Sequence, residues 1–383
     1  MNLSKLQFER FRVWQVVVPA SRETIFPHAA PAADHIPWDH SHITLVEGVT
    51  TDGIIACGES DRGDSKEAVE QTLRHLLTLD LRQAHPVGPW GGAWPPSPLP
   101  DSYEPVAWSS PQPFLQGLYE TLWLDTVGKS SGLPAHALLG GKVRDLVKVD
   151  VWANRPDENL LRTLVVRALE NGYRGIKLKC DAFGDTVAAI WNIHRDLPDD
   201  FHFTIDPMCA WKTYRECRPL LETLEKIPQS IYLEDPYPHQ AIGEWERTRD
   251  SYRIPLIWHA RDQEILRLGL THNVSDAYNL VGRPAFEFLS SSAMLIAGLS
   301  HCWHGSSLEL GVQQHARLHA CAASRACTMP SDLSSQWVRE HTLVEPVMRV
   351  EKGSAVVPAL PGLGVSLDHS AIPRYSINHW EIK

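Results

Sequence analysis

Eight short runs of β-branched and apolar residues recur between Lys148 and Leu333, with stretches of helical periodicity set between them. The runs are KVDVWAN, GIKLKC, HFTIDP, IYLEDP, PLIWHA, DAYNL, SHCWHG and ACTMPSDL. Each is short, and most are bounded by Gly, Pro, Asp or Ser, as expected of a buried strand. The segments DTVAAIWNIHRDL, YRECRPLLETLEK and SLELGVQQHARLHACAA instead place apolar residues three and four apart, the spacing of a helix that buries one face. Regular alternation of this kind predicts parallel strands joined by right-handed crossovers, and eight units predict a closed TIM barrel.

The ends of the chain have a different pattern. Val13 to Val18, HITLVEGV and IIACGE read as strands of an antiparallel sheet, with a turn at Thr51, Asp52 and Gly53. A polar, proline-containing loop, residues 19 to 41, separates the first two; its His28, His35 and Trp38 are candidate contacts over the barrel mouth. Residues 86 to 113 are crowded with Pro, Gly and Trp and predict an irregular loop, after which FLQGLYETLWLDTVGK predicts a helix. The tail beyond residue 345 carries Pro358, Pro361, Gly362 and Gly364, has no place in the repeat, and is expected to return to the first sheet. The expected division is thus 1–146, 147–345 and 346–383.

Composition narrows the class of partner. A formal charge of −10 without any Lys/Arg block argues against nucleic acid or an anionic membrane. The seven cysteines are odd in number and form no CxxC pair, which predicts reduced thiols and a cytoplasmic protein. Charges at Glu9, Arg10 and Arg12 interrupt the N-terminal apolar run where a signal peptide would need an apolar core, and no run reaches transmembrane length.

Charged residues close several of the strand runs. Lys177 and Lys179 lie two apart, so both side chains leave one face. Asp206 follows Lys179 by 27 residues and Glu234 follows Asp206 by 28, one βα unit each, so all converge on the same barrel mouth. Converging carboxylates make a hard oxygen site suited to Mg²⁺. Two buried ammonium groups at close quarters are expected to have lowered pKa values, as a lysine base requires. Surface snorkelling would explain a lone KxK, and helix capping would explain a lone DP, more readily for Asp235 than for Glu234. The shared interval favours one site.

HITLVEGVTTDGIIACGESDRG, LPAHALLGGKVRDLV, GYRGIKLKC, FTIDP, YLEDP and VVPALPGLGVSLD together resemble the mandelate racemase and muconate lactonizing enzyme branch of the enolase superfamily, from about residue 6 to 368. The resemblance implies an α/β fold, a modified TIM barrel (β/α)₇β with an α+β capping domain built from the N- and C-terminal segments. It also implies an enzyme that abstracts the proton α to a carboxylate and holds the enediolate on Mg²⁺. Lys179 matches the base on one face of the substrate, Lys177 a group that tunes it or touches the substrate carboxylate, and Asp206 and Glu234 the first two metal ligands. The partner is then a small carboxylate, an acid sugar, and the assembly a homo-oligomer, as is common in the family.

Later positions depart from that pattern. The third carboxylate of the family falls on His259 or Ala260. His259 would favour Mn²⁺ or another divalent cation softer than Mg²⁺. Asp262 or Glu264 reaching in from the loop, or a hydrogen bond that merely holds Glu234, are the other readings. Asn279 and Val281 stand where relatives carry Lys or Asp, and Asn279 can orient an imidazole without stabilising its charge. His304, 25 residues after Asn279, is the expected acid/base on the second face, with His301 as the alternative. Glu309 matches a glutamate of lactonizing relatives or else opens the next helix. His315 and His319 read as packing residues, Glu59 as part of the capping sheet, and Trp211 and Trp303 as pocket walls or core. The combined expectation is a dehydratase-type lyase. A racemase or epimerase, an isomerase, and an idle binding protein with a degenerate metal site are the alternatives.

Overall fold

The structure, a computed structural model, describes residues 5–21, 40–83, 115–180, 184–260, 263–280, 291–292, 294–303 and 309–383. Strands β1 (Phe8–Pro19), β2 (His40–Thr50) and β3 (Ile55–Glu59) form an antiparallel sheet, and the C-terminal strand Ser376–Ile382 completes it along the free edge of β1. Phe11 and Val13, then Val16 and Val18, face the core. The alternation slips by one where the pairing with the C-terminal strand shifts between Gln15 and Val16. The expected turn is present, with Gly53 at φ 86°.

Helix α1 (Lys66–Leu76) starts at Ser65, whose hydroxyl accepts from the Ala68 amide, and α2 (Gln116–Ser131) lies on β3. The approach is close: a Cβ on Gly58 would come within 2.5 Å of Leu122 Cγ. Asp125, fully buried on α2, accepts from Cys57 N at 2.8 Å and Leu363 N at 2.9 Å and pairs with Lys129 at 2.6 Å. One carboxylate thereby ties the sheet, the helix and the tail together.

After α3 (Ala135–Leu138), the expected strand KVDVWAN divides. Its first part, β4 (Leu146–Lys148), pairs with Ser354–Val356 of the tail, and its second, β5 (Val151–Asn154), enters the barrel. Then follow α4 (Glu158–Glu170), β6 (Gly175–Lys179), α5 (Asp185–Ile193), β7 (His202–Asp206), α6 (Tyr214–Leu224), β8 (Ser230–Glu234), α7 (Ile242–Ser251), β9 (Leu256–Ala260), α8 (Gln263–His272), β10 (Ala277–Leu280), β11 (Ser300–Trp303), α9 (Gly311–Ala323) and the C-terminal β12 (Ser376–Ile382). Helix α4 illustrates the local logic. Asp157 caps the Leu160 amide at 2.8 Å, and Leu161, Leu164, Val165 and Ala168 make the buried stripe.

Strands β5 to β11 run in order as one parallel sheet. The eighth expected strand, ACTMPSDL, closes it through single bridges, His301 to Cys327 on one side and Val149 to Ser331 on the other. Pro330 in that run has no N–H for a ladder, which accounts for the broken pairing. The result is a TIM barrel of the expected (β/α)₇β kind. Among the described residues no helix is long and apolar enough to cross a membrane.

Candidate active site

Parallel register carries the four central side chains to one level. Lys179 stands opposite Asp206 and Lys177 opposite Thr204, and the β8 strand next to β7 ends on Glu234. Lys177, Lys179, Asp206 and Glu234 are all buried, between 1% and 7% exposed. Lys177 Nζ lies 2.8 Å from Glu234 Oε1, 3.3 Å from Asp332 Oδ2 and 3.7 Å from Asp206 Oδ2. Lys179 pairs with Asp206. Asn279 Nδ2 donates to Glu234 Oε1 at 2.9 Å.

This geometry reverses the expectation of a lowered pKa at Lys177. Burial pushes its ammonium down, but the Asp332, Glu234 and Asp206 carboxylates together outweigh that and hold it well above its ordinary value. The same balance leaves Asp206 below the usual carboxylate range: burial raises it, while Lys179 and Lys177 pull it further down. Glu234 goes the other way, because burial, helped by Asp206 and Asp332, exceeds the pull of Lys177. Two lysines face three carboxylates, so like-charge repulsion between the lysines is not the dominant force.

Asp332 was missed in the sequence. It closes the run ACTMPSDL as Asp206 and Glu234 close theirs, and that parallel was the available signal. His259, at the end of β9, has Nδ1 3.8 Å from Glu234 Oε1 and 3.9 Å from Asp235 Oδ2. Both separations exceed a hydrogen bond, so it is Asn279 and Lys177 that hold Glu234. Asn279 thus serves a carboxylate where an imidazole partner was expected. Asp235 is no helix cap: it accepts from the His259 amide at 2.9 Å and pairs with His239 at 3.0 Å. Glu264 is exposed in the first turn of α8.

His301 Nε2 meets Ser324 Oγ at 2.8 Å, on the helix side of β11 and away from the lysines. Glu309 pairs with Arg317 of α9. His304, Asp262, Val281, His28, His35, Trp38 and the Trp303 side chain lie outside the described residues. Trp211 is core. His315 and His319 are buried; burial lowers their pKa values to about 4 and about 3, and each finds a backbone partner, Gly311 O and Leu363 O. Glu59 holds more than its own sheet. It accepts from the amides of Leu310, Val312 and Gln313 at 2.6, 3.0 and 3.1 Å, at the start of α9.

Asp206, Glu234 and His259 are donors of the kind a divalent cation takes. The two carboxylates are buried, and among the described residues Glu234 Oε2 has no hydrogen-bond partner. A buried carboxylate oxygen left so is costly unless a cation takes it. Two hard oxygens and one imidazole suit Mn²⁺ as well as Mg²⁺.

Residues 292–371 match the family model described as "Enolase C-terminal domain-like". The chain is 25% identical over 369 residues to a chloromuconate cycloisomerase of Cupriavidus pinatubonensis, covering 88% of this chain and 92% of that one. The chain is thus similar to members of the enolase superfamily, on its mandelate racemase and muconate lactonizing branch. A D-mannonate dehydratase of Rhizorhabdus wittichii is 24% identical over 295 residues, 66% of this chain and 72% of its own. Among solved structures, an enolase from Mycobacterium smegmatis complexed with tartrate superposes with a TM-score of 0.76 at 19% identity, covering 98% of this chain and 92% of that one, which bears on the fold alone. These relatives bear enzyme names, and the superfamily is one of enzymes.

Proposed function

We propose that this protein abstracts the proton α to the carboxylate of a small acid, as an acid-sugar dehydratase-type lyase. The observation that supports it is the juxtaposition of Lys177 and Lys179 with Asp206 and Glu234 at the ends of three successive strands. Lys177, fixed by three carboxylates, stays an ammonium and offers a static positive charge to the substrate carboxylate. Lys179, two residues closer to the strand end, takes the α proton as a neutral amine, having given its own proton to solvent on leaving Asp206. His304, expected from its interval after Asn279 to be the second acid/base, would protonate the departing β-hydroxyl. Asn279 orients Glu234, and the Glu309–Arg317 pair positions the start of the helix that follows His304. A divalent cation held by Asp206, Glu234 and His259 would supply positive charge for the developing enediolate.

Deuterium exchange at the α carbon in D₂O, scanned over acid sugars and amino-acid derivatives with Mg²⁺ or Mn²⁺, tests this. The expected result is exchange with loss of water to an α-keto acid, reduced at least 10³-fold in Lys179→Ala. Exchange with return of the epimer would move the reading to a racemase. No exchange with any metal and any acid would leave a binding protein.

A further inference from the structure

We infer a second cation site, distinct from Asp206 and Glu234, formed by Cys209, Asp235 and His239 and suited to a soft or borderline dication such as Zn²⁺ or Co²⁺. One ligand atom from each residue lies within 4.8 Å of the others. Cys209 Sγ is 3.8 Å from Asp235 Oδ2, and His239 Nε2 is 3.0 Å from Asp235 Oδ1. Tetrahedral zinc, with bonds of about 2.0 Å to N and O and about 2.3 Å to S, separates its ligands by about 3.3–3.6 Å, so the two separations from Asp235 already lie close to it. Three protein donors with a fourth position open is the pattern of a zinc site that still accepts water or substrate.

The donors are built in. Asp235 and His239 are buried, whereas Cys209, alone among the seven cysteines, is only partly so and can be reached. The His239 ring lies 4.4 Å from the ring of Trp258 and stacks at 6.2 Å on Trp245, which fixes its direction. Cys209 and Asp235 both adopt left-handed backbone, φ 61° and 43°, and the Cys209 amide donates to Asp235 O at 2.7 Å. Non-glycine residues pay a steric cost there, and two facing each other across adjacent strand ends mark an imposed geometry. Charge also balances: binding releases the thiol proton, and thiolate plus carboxylate neutralise the dication. A thiolate and an imidazole disfavour Mg²⁺, so the two sites would sort cations by softness.

Cobalt titration of the chelator-treated full chain tests the assignment. A near-ultraviolet thiolate-to-cobalt absorption should appear in the wild type, persist in Asp206→Asn, vanish in Cys209→Ser, and need at least about tenfold more cobalt in His239→Asn. Absence of the band in the wild type, its persistence in Cys209→Ser, or its loss in Asp206→Asn would overturn the site. The Asp206→Asn arm separates this inference from the proposed function, whose proton exchange that variant should abolish. Should a variant not fold, alkylation of the native wild type decides: Zn²⁺ should protect Cys209 from iodoacetamide, and equal labelling with and without Zn²⁺ would refute the site.

Discussion

At the scale of single residues, Lys177 is the counter-ion that lets Asp206, Glu234 and Asp332 share a buried volume. Removing one partner of a buried ion cluster costs about 3–5 kcal/mol. Lys177→Met is therefore expected to lower the urea-derived unfolding free energy at pH 8 by that amount, and a loss under about 1 kcal/mol would show that the carboxylates are not held charged by it. A second prediction concerns Gly128, where a Cβ would lie 2.6 Å from Gly362 Cα and 2.7 Å from Gly362 N. Backbone atoms cannot swing aside as a side chain does, so Gly128→Ala should destabilise by about 1–3 kcal/mol in thermal unfolding.

At the scale of elements, the N-terminus of α9 is held by a carboxylate from the end of β3. Burial raises Glu59 from an ordinary 4.5 to about 7, although amides of Leu310, Gln313 and Val312, together with Arg317, pull it back. A carboxyl with a folded pKa above its unfolded value binds more protons when folded. Its contribution is present in full below about pH 4.5 and is lost as pH rises through 7, up to about 3 kcal/mol. The difference in unfolding free energy between wild type and Glu59→Gln should therefore turn against the wild type from pH 5 to 7.5; parallel curves would exclude the effect. His315 and His319 act in the opposite sense. Their lowered values mean that stability is present above about pH 6.5 and lost as pH falls through about 4 and about 3. Helix α9 is expected to set the acid limb of the stability profile, and His319→Gln should flatten it. The helix itself was legible from its spacing; its tie to Glu59 spans 251 residues and has no local signature.

For the whole molecule, the tail decides whether the cap is complete. Strand β12 covers the edge of β1 from Phe11 to Val16, and Leu363 reaches Asp125. Truncation after Tyr375 would leave the long strand β1 as an unpaired edge. The truncated chain is expected to lose a single cooperative unfolding transition and to aggregate on sizing chromatography; an unchanged melting curve would show that the cap stands without β12.

Much of this was readable in the chain because it is periodic. Strand and helix announce themselves through neighbours two to four residues apart, so the alternating units, the barrel and the level of Lys177, Lys179, Asp206 and Glu234 followed from spacing alone. Partnership is another matter. That Lys177 meets Asp332, that Asn279 holds Glu234, that Asp235 turns to His239 and Cys209, and that Glu59 caps a helix of the barrel depend on how closed strands and a returning tail bring distant residues within a few ångströms. Such contacts are set by tertiary packing, and so are the electrostatics: the same lysine that repulsion would have left weakly basic becomes, among three carboxylates, a firmly held cation.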